Sequence, residues 1–247
     1  MKKLGYEEYF TKIQQILLEI RKTQKTNIEQ AAQIISETII NDGLVHVFGT
    51  GHSNLLAEEV FYRAGTLAPI NHVLDVSLAG TIGVTKSELM ERLEGIGPIL
   101  YYWTRPGPTD CFIVISNSGR NAVPIELARE AKQHGHKVVA ITSIKFSKSQ
   151  PSRHSSGKLL LDYADVVLDN CSPIGDACVT IPGTDVKVGP VSTITGAYII
   201  NAIMVQAAFN LKEAGFDPPV FISGNLDWSK EYNQRLLDRY WHRIKNW

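Results

Sequence analysis

The stretch Phe112–Thr142, FIVISNSGRNAVPIELAREAKQHGHKVVAIT, constrains the fold of this chain more than any other. It opens with an apolar run, Phe112-Ile113-Val114-Ile115, which stops at Ser116-Asn117-Ser118-Gly119. An amphipathic segment follows and ends at Gly135. A second apolar run, Val138-Val139-Ala140-Ile141, closes on Thr142. Period and length read as strand, tight polar turn, helix, strand. Two strands joined by a helix run parallel, and a parallel sheet needs helices on both faces.

The same unit occurs earlier. Val45–Phe48 is an apolar run ended by Gly49-Thr50-Gly51-His52-Ser53, and residues 54–64 suit a helix. Further strands are expected at 69–75 and at Ala164–Leu168, with a short one at Leu100–Trp103. Gly95-Ile96-Gly97-Pro98 reads as a turn. Residues 6–41 read as two helices that break near Thr26-Asn27, with Asn27 as the second cap. They are expected to pack on a sheet edge or another subunit. Residues 171–190 read as loop plus a small extended segment. A long helix runs from Pro190 to about Ala214, where Gly215 and Pro218-Pro219 end it. A charged amphipathic helix fills 228–247. Strands alternating with helices define an α/β chain, read as one domain over 1–247, with a core at about 30–215 and helical extensions at both ends.

Ligands of such sheets sit at the carboxyl ends of the strands, where both polar turns lie. A helix start offers unpaired N–H groups and partial positive charge, which suits an anion. Ser116 and Ser118 can donate hydroxyls, Asn117 and Asn121 amides, and Gly119 allows close approach. One helix cap would also use Ser or Asn, but two of each exceed its need. The turn has no Lys, which favours a phosphate on a small polar ligand over a nucleoside triphosphate with its metal. Gly51 and Ser53 can line the rest of that ligand, and His52 can shuttle a proton. Glu58 and Glu59, early in the next helix, are candidate bases for moving a proton between adjacent carbons. Ser192 and Thr193, at a third helix start, can join the same pocket. The basic, hydroxyl-rich loop Ser152–Lys158 can close over an anion.

Other classes recede. The 25 basic and 25 acidic residues cancel, which gives no electrostatic case for nucleic acid or an anionic membrane. The three cysteines have no C-x-x-C spacing and read as small buried residues in a reducing compartment. The seven histidines make no H-E-x-x-H pattern, so neither metal nor cofactor is expected. No apolar h-region follows the N-terminal lysines, and no uninterrupted apolar run reaches the ~20 residues of a membrane span. Val191–Ala208 comes nearest. A cytoplasmic protein is expected.

These turns together resemble the sugar isomerase (SIS) family of phosphosugar-binding domains over about residues 30–215. The family's S-x-S-G-x-[ST] phosphate loop corresponds to Ser116, Ser118 and Gly119. The helix and strand after it end in a pattern matched by Ala131, Lys132, Gly135, Ile141 and Thr142. Gly49–Ser53 looks like the G-x-G-x-S turn, and Pro190–Thr195 is similar to the P-x-S-x-T helix start. The whole chain looks most like a bacterial branch near the phosphoheptose isomerases. The resemblance implies a flavodoxin-like three-layer sandwich on a five-stranded parallel sheet, a homodimer or homotetramer, and a sugar-phosphate ligand. The implied activity is aldose–ketose isomerisation. The alternatives are a phosphosugar lyase or etherase, and a non-catalytic phosphosugar sensor. Two positions depart from the pattern. Asn121 replaces the loop's last Thr or Ser, and Arg63 stands where several members carry a catalytic Glu.

Overall fold

The computed structural model describes residues 4–80 and 82–244. Helices α1 (Gly5–Thr23) and α2 (Lys25–Ile40) precede β1 (Val45–Gly49), α3 (Asn54–Val60) and β2 (Ile70–His72). Then come α4 (Val84–Met90), α5 (Ile96–Thr104), β3 (Cys111–Ile115), α6 (Ala122–Gln133) and β4 (Lys137–Thr142). A short α7 (Ile144–Lys148) leads to β5 (Val166–Asp169). A hairpin of β6 (Ala177–Thr180) and β7 (Lys187–Pro190) precedes α8 (Ser192–Glu213) and α9 (Ser229–Tyr240). Residues 245–247 of the expected C-terminal helix lie outside the described residues.

The main sheet has the order β2-β1-β3-β4-β5, and every pairing is parallel. It lies between helical layers, giving the flavodoxin-like α/β sandwich expected from the sequence. Val45, Val47, Ile113, Ile115, Val139 and Ile141 face one way and pack with residues of α2, α3 and α8. Phe48, Phe112, Val114, Val138 and Ala140 face the other way and pack with α5 and α6. Both faces are covered, so these strands read as continuous apolar runs rather than alternating ones.

Three expectations are corrected. First, α2 lies on the sheet face beside α8 rather than at an edge. The α1–α2 break falls at Gln24, and Asn27 does not cap. Instead Asn27 Nδ2 donates to the carbonyl of Val167 at 3.0 Å, and Gln24 Oε1 accepts from Asp169 N at 3.0 Å. Both amides bind β5 to the helices. Second, Leu100–Trp103 is helical, because α5 begins at the stretch read as a turn. The buried Glu126 carboxylate of α6 accepts from Gly95 N and Gly97 N at 2.8–3.0 Å and so caps α5 from outside. Pro98 falls in the first turn, where its missing N–H costs nothing. Third, α8 is 22 residues long and apolar enough to cross a membrane by length and composition. Its buried face, from Thr195 and Ile199 to Ala207 and Leu211, packs into the core, so here it is a core helix.

Beneath the sheet's other end, Asp110 is buried and accepts from Leu44 N and Gly107 N, both at 2.7 Å. Its Oδ2 lies 2.8 Å from His46 Nε2. Burial alone would raise the Asp110 pKa. The hydrogen bonds from His46, Leu44 and Gly107 outweigh burial and hold it below its ordinary value.

Candidate functional site

The strand order reverses direction between β1 and β3, the position where ligands of such sheets bind. A cavity of about 530 Å³ opens there. Gly51, His52 and Ser53 line it from the turn after β1. Ser116, Asn117, Ser118 and Asn121 line it from the turn after β3, and Ser192 and Thr193 from the start of α8. The three polar turns singled out in the sequence therefore meet in one place.

The β3–α6 turn is rigid. Asn117 Oδ1 accepts from Asn170 Nδ2 at 2.9 Å and from Ser172 Oγ at 2.7 Å, and its carbonyl accepts from Ser143 N at 3.0 Å. Ser116 Oγ accepts from Gly119 N at 3.2 Å, leaving its own proton to donate outward. Gly119 has φ +60°, and a Cβ there would come within 2.8 Å of Ser147 Oγ and 3.0 Å of Thr142 Oγ1. Only glycine fits. Among the described residues, the hydroxyls of Ser53, Ser118 and Thr193 have no intramolecular hydrogen-bond partner. Each is available to a ligand.

Asn121 and Ser192 are already engaged. Asn121 Nδ2 donates to Glu91 Oε1 at 2.6 Å, and its Oδ1 accepts from Arg153 Nη1 at 2.9 Å. Ser192 Oγ donates to Asp176 Oδ2 at 2.9 Å, and Asp176 Oδ1 accepts from Ser192 N at 2.8 Å and Val191 N at 3.2 Å. Asp176 thus caps α8 in the manner of a bound anion.

Glu58 and Glu59 do not line the cavity. Glu58 is exposed and accepts from Asn54 Nδ2 at 2.7 Å. Glu59 pairs with Arg63 one turn on and accepts from Asn201 Nδ2 at 3.0 Å. Two other carboxylates line the cavity, Asp176, which is held at the head of α8, and Glu91, just past α4. Its Oε2 accepts from Thr50 Oγ1 at 2.5 Å. Burial pushes its pKa above the ordinary value, against the lowering effects of the Thr50 hydrogen bond and of Arg92 and Arg153. No local pattern marks Glu91 in the sequence, because Thr50 and Asn121 lie 41 and 30 residues away.

The Ser152–Lys158 loop is pinned beside the site without lining the cavity. Arg153 N donates to the Arg120 carbonyl at 2.8 Å, and Ser155 Oγ donates to Glu94 at 2.7 Å. Glu94, Glu126 and His154 bring donor atoms within 4.8 Å of one another. Arg129 Nη1, at 3.5 Å from His154 Nε2, already supplies positive charge there. Both oxygens of Glu126 are also taken by the α5 cap. The cluster reads as a hydrogen-bonded latch on the loop rather than a metal site.

Comparison with known proteins agrees with this architecture. The sequence profile of the SIS domain matches residues 8–143. A UPF0309 protein of Geobacillus thermodenitrificans is 41% identical over 238 residues, 96% of each chain. UPF0309 protein GK1441 of Geobacillus kaustophilus is 42% identical over 237 residues, 96% of this chain and 94% of its own. The chain belongs to the SIS domain family. Among solved structures, phosphoheptose isomerase GmhA of Neisseria gonorrhoeae superposes with TM-score 0.57 at 18% identity, covering 83% of this chain and 97% of its own. The Vibrio vulnificus NanR protein complexed with ManNAc-6P gives 0.52 at 13% identity, covering 97% and 70%. Both share the fold.

Proposed function

We propose that residues 1–247 form one phosphosugar-binding unit that interconverts the aldose and ketose forms of a sugar phosphate. One observation carries the reading: a half-buried carboxylate, Glu91, shares a cavity with a glycine-shaped hydroxyl turn at the carboxyl ends of β1 and β3. Ser116 and Ser118 hold the phosphate. Ser53, Gly51 and Thr193 line the sugar. Glu91 takes the C2 proton from the aldose, leaving an enediol, and returns it to C1. His52, exposed at the cavity, relays the proton between the two hydroxyl oxygens. A base must hold its proton near the working pH, and the raised pKa of Glu91 serves that need. A lyase or etherase would use the same cradle and base.

Thermal shift against a panel of sugar phosphates identifies the ligand, and deuterium uptake at its C2 in heavy water then reports proton transfer. Stabilisation together with uptake is expected. No stabilisation by any sugar phosphate overturns the cradle. Binding without uptake or product overturns the isomerase and leaves a second reading, a phosphosugar sensor. That reading is favoured by Arg63, which faces Glu59 where several enzymes of the family place a Glu.

We also take the working form to be a homodimer or homotetramer. Ile194, Tyr198, Val205 and Phe209 leave an exposed apolar stripe along α8. A monomer mass by light scattering at micromolar concentration would overturn this.

A further inference from the structure

Among the described residues, the cavity at the carboxyl ends of β1 and β3 is lined by two carboxylates, Glu91 and Asp176, by one histidine, His52, and by no Lys or Arg. Arg153 stands behind the turn after β3, where its Nη1 donates to Asn121 Oδ1 at 2.9 Å. Lys12, Lys145 and Lys187 line a different cavity, beside α1. The head of α8 receives a carboxylate instead of a cation.

Asp176 is built into that position. Its φ of +70° is left-handed, a conformation that Asp and Asn tolerate better than other residues with a side chain. Its amide donates to the Pro173 carbonyl at 2.9 Å, and the pairing of Ala177 with Pro190 brings the start of the ribbon to the start of α8. The carboxylate then accepts from Ser192 N at 2.8 Å, Ser192 Oγ at 2.9 Å and Val191 N at 3.2 Å. A free helix head counts as about half a positive charge and attracts anions. Asp176 fills this one with a whole negative charge, so the head of α8 turns net negative charge on the cavity. Glu91 adds a second negative charge once it has lost its proton. A ligand's second anion would find the amides of Val191 and Ser192 taken and would meet like charge in a cleft, where fields are focused by low-dielectric walls.

We propose that Asp176 sets the charge allowed on the ligand away from its phosphate: the cavity takes sugar monophosphates whose other groups are uncharged and rejects those with a second anion, such as phosphorylated sugar acids and bisphosphates. The inference rests on the sugar-phosphate reading above and narrows its substrate class. The discrimination comes from a built-in repulsion rather than from an added contact.

The test is titration calorimetry with ester pairs that differ only in a hydroxymethyl group against a carboxylate, sorbitol 6-phosphate against 6-phosphogluconate and ribitol 5-phosphate against 5-phosphoribonate. Wild type is compared with Asp176→Asn, which keeps the shape, the tolerance of positive φ and the ability to cap α8 while removing the charge. Wild type is expected to favour the polyol ester by about tenfold or more, since opposed like charges at close range cost at least that. The preference is expected to fall as salt is raised. In Asp176→Asn it is expected to shrink by about threefold or more, through a gain in affinity for the acid ester, with thermal unfolding confirming the fold. Equal wild-type affinity within each pair overturns the proposal alone, as does a preference that the variant leaves unchanged. Should the variant fail to fold, a wild-type preference identical at low and high salt overturns it instead. Failure of wild type to bind any of these esters overturns the sugar-phosphate reading itself, and this inference with it.

Discussion

Glu91→Gln separates the assigned chemistry from the fold. The substitution keeps the side chain's shape and replaces one carboxylate oxygen by an amide nitrogen. The remaining oxygen can still accept from Asn121, which donates at 2.6 Å. The new amide can face Thr50, whose hydroxyl accepts as readily as it donates. The structure should therefore survive. A positioned general base is worth about 10²–10⁴-fold, or roughly 3–5 kcal/mol of barrier. Deuterium uptake at C2 should fall by that factor while ligand affinity stays within a few-fold. In wild type the rate should fall with decreasing pH along a limb centred above the ordinary glutamate value of 4.5, because burial raises the Glu91 pKa. Stability gives an independent readout. The folded protein keeps the Glu91 proton to higher pH than the unfolded chain does. Stability contributed by that group therefore declines as pH rises from the unfolded pKa through the folded one. The variant lacks this decline, so its melting temperature relative to wild type should climb across the same window. Uptake undiminished in Glu91→Gln would refute the assignment of the base. A flat melting-temperature difference would refute the buried, proton-retaining carboxyl.

Ser118→Ala should weaken sugar-phosphate binding by ~1–3 kcal/mol through loss of a charged hydrogen bond, read by calorimetry. Unchanged affinity would remove that hydroxyl from the cradle. Asp110→Ala should cost about 3–5 kcal/mol in urea unfolding, since it leaves Leu44 N, Gly107 N and His46 without their buried acceptor, and ligand affinity should hold because Asp110 lies at the opposite end of the strands. The folded pKa of Asp110 is depressed, so the stability it adds is present above its unfolded pKa and is lost as pH falls through the folded value. The stability gap between wild type and Asp110→Ala should therefore narrow in acid, and a constant gap would contradict the depressed Asp110 pKa.

Much of the molecule was legible because its signals are local. The run Phe112–Ile115, its polar stop and the next apolar run each fall within one strand–turn–helix unit, so β3, α6 and β4 follow from periodicity. Glycine restricts the turn after β3 at Gly119, and it stands in the sequence where the strain requires it. The failures share one cause. The helix start of α5 depends on Glu126, about thirty residues downstream, so Leu100–Trp103 reads as a strand from its own composition. Glu91 lies in a segment with weak periodicity, and its two partners come from the other turns. Glu58 and Glu59 lie close to His52 along the chain, but the short helix carries both away from the cavity. Ser192 has the residue type of a ligand, but a carboxylate sixteen positions upstream has claimed it.

That carboxylate joins two mechanical parts. Asp176 begins the β6–β7 ribbon, and at the same end Ala177 pairs with Pro190, whose carbonyl accepts from the Tyr9 hydroxyl of α1 at 2.8 Å. A guest anion could take the amides at the head of α8 only by evicting Asp176. Eviction would remove one of two ties at the base of the ribbon, and the Tyr9 bond would still hold that base on α1.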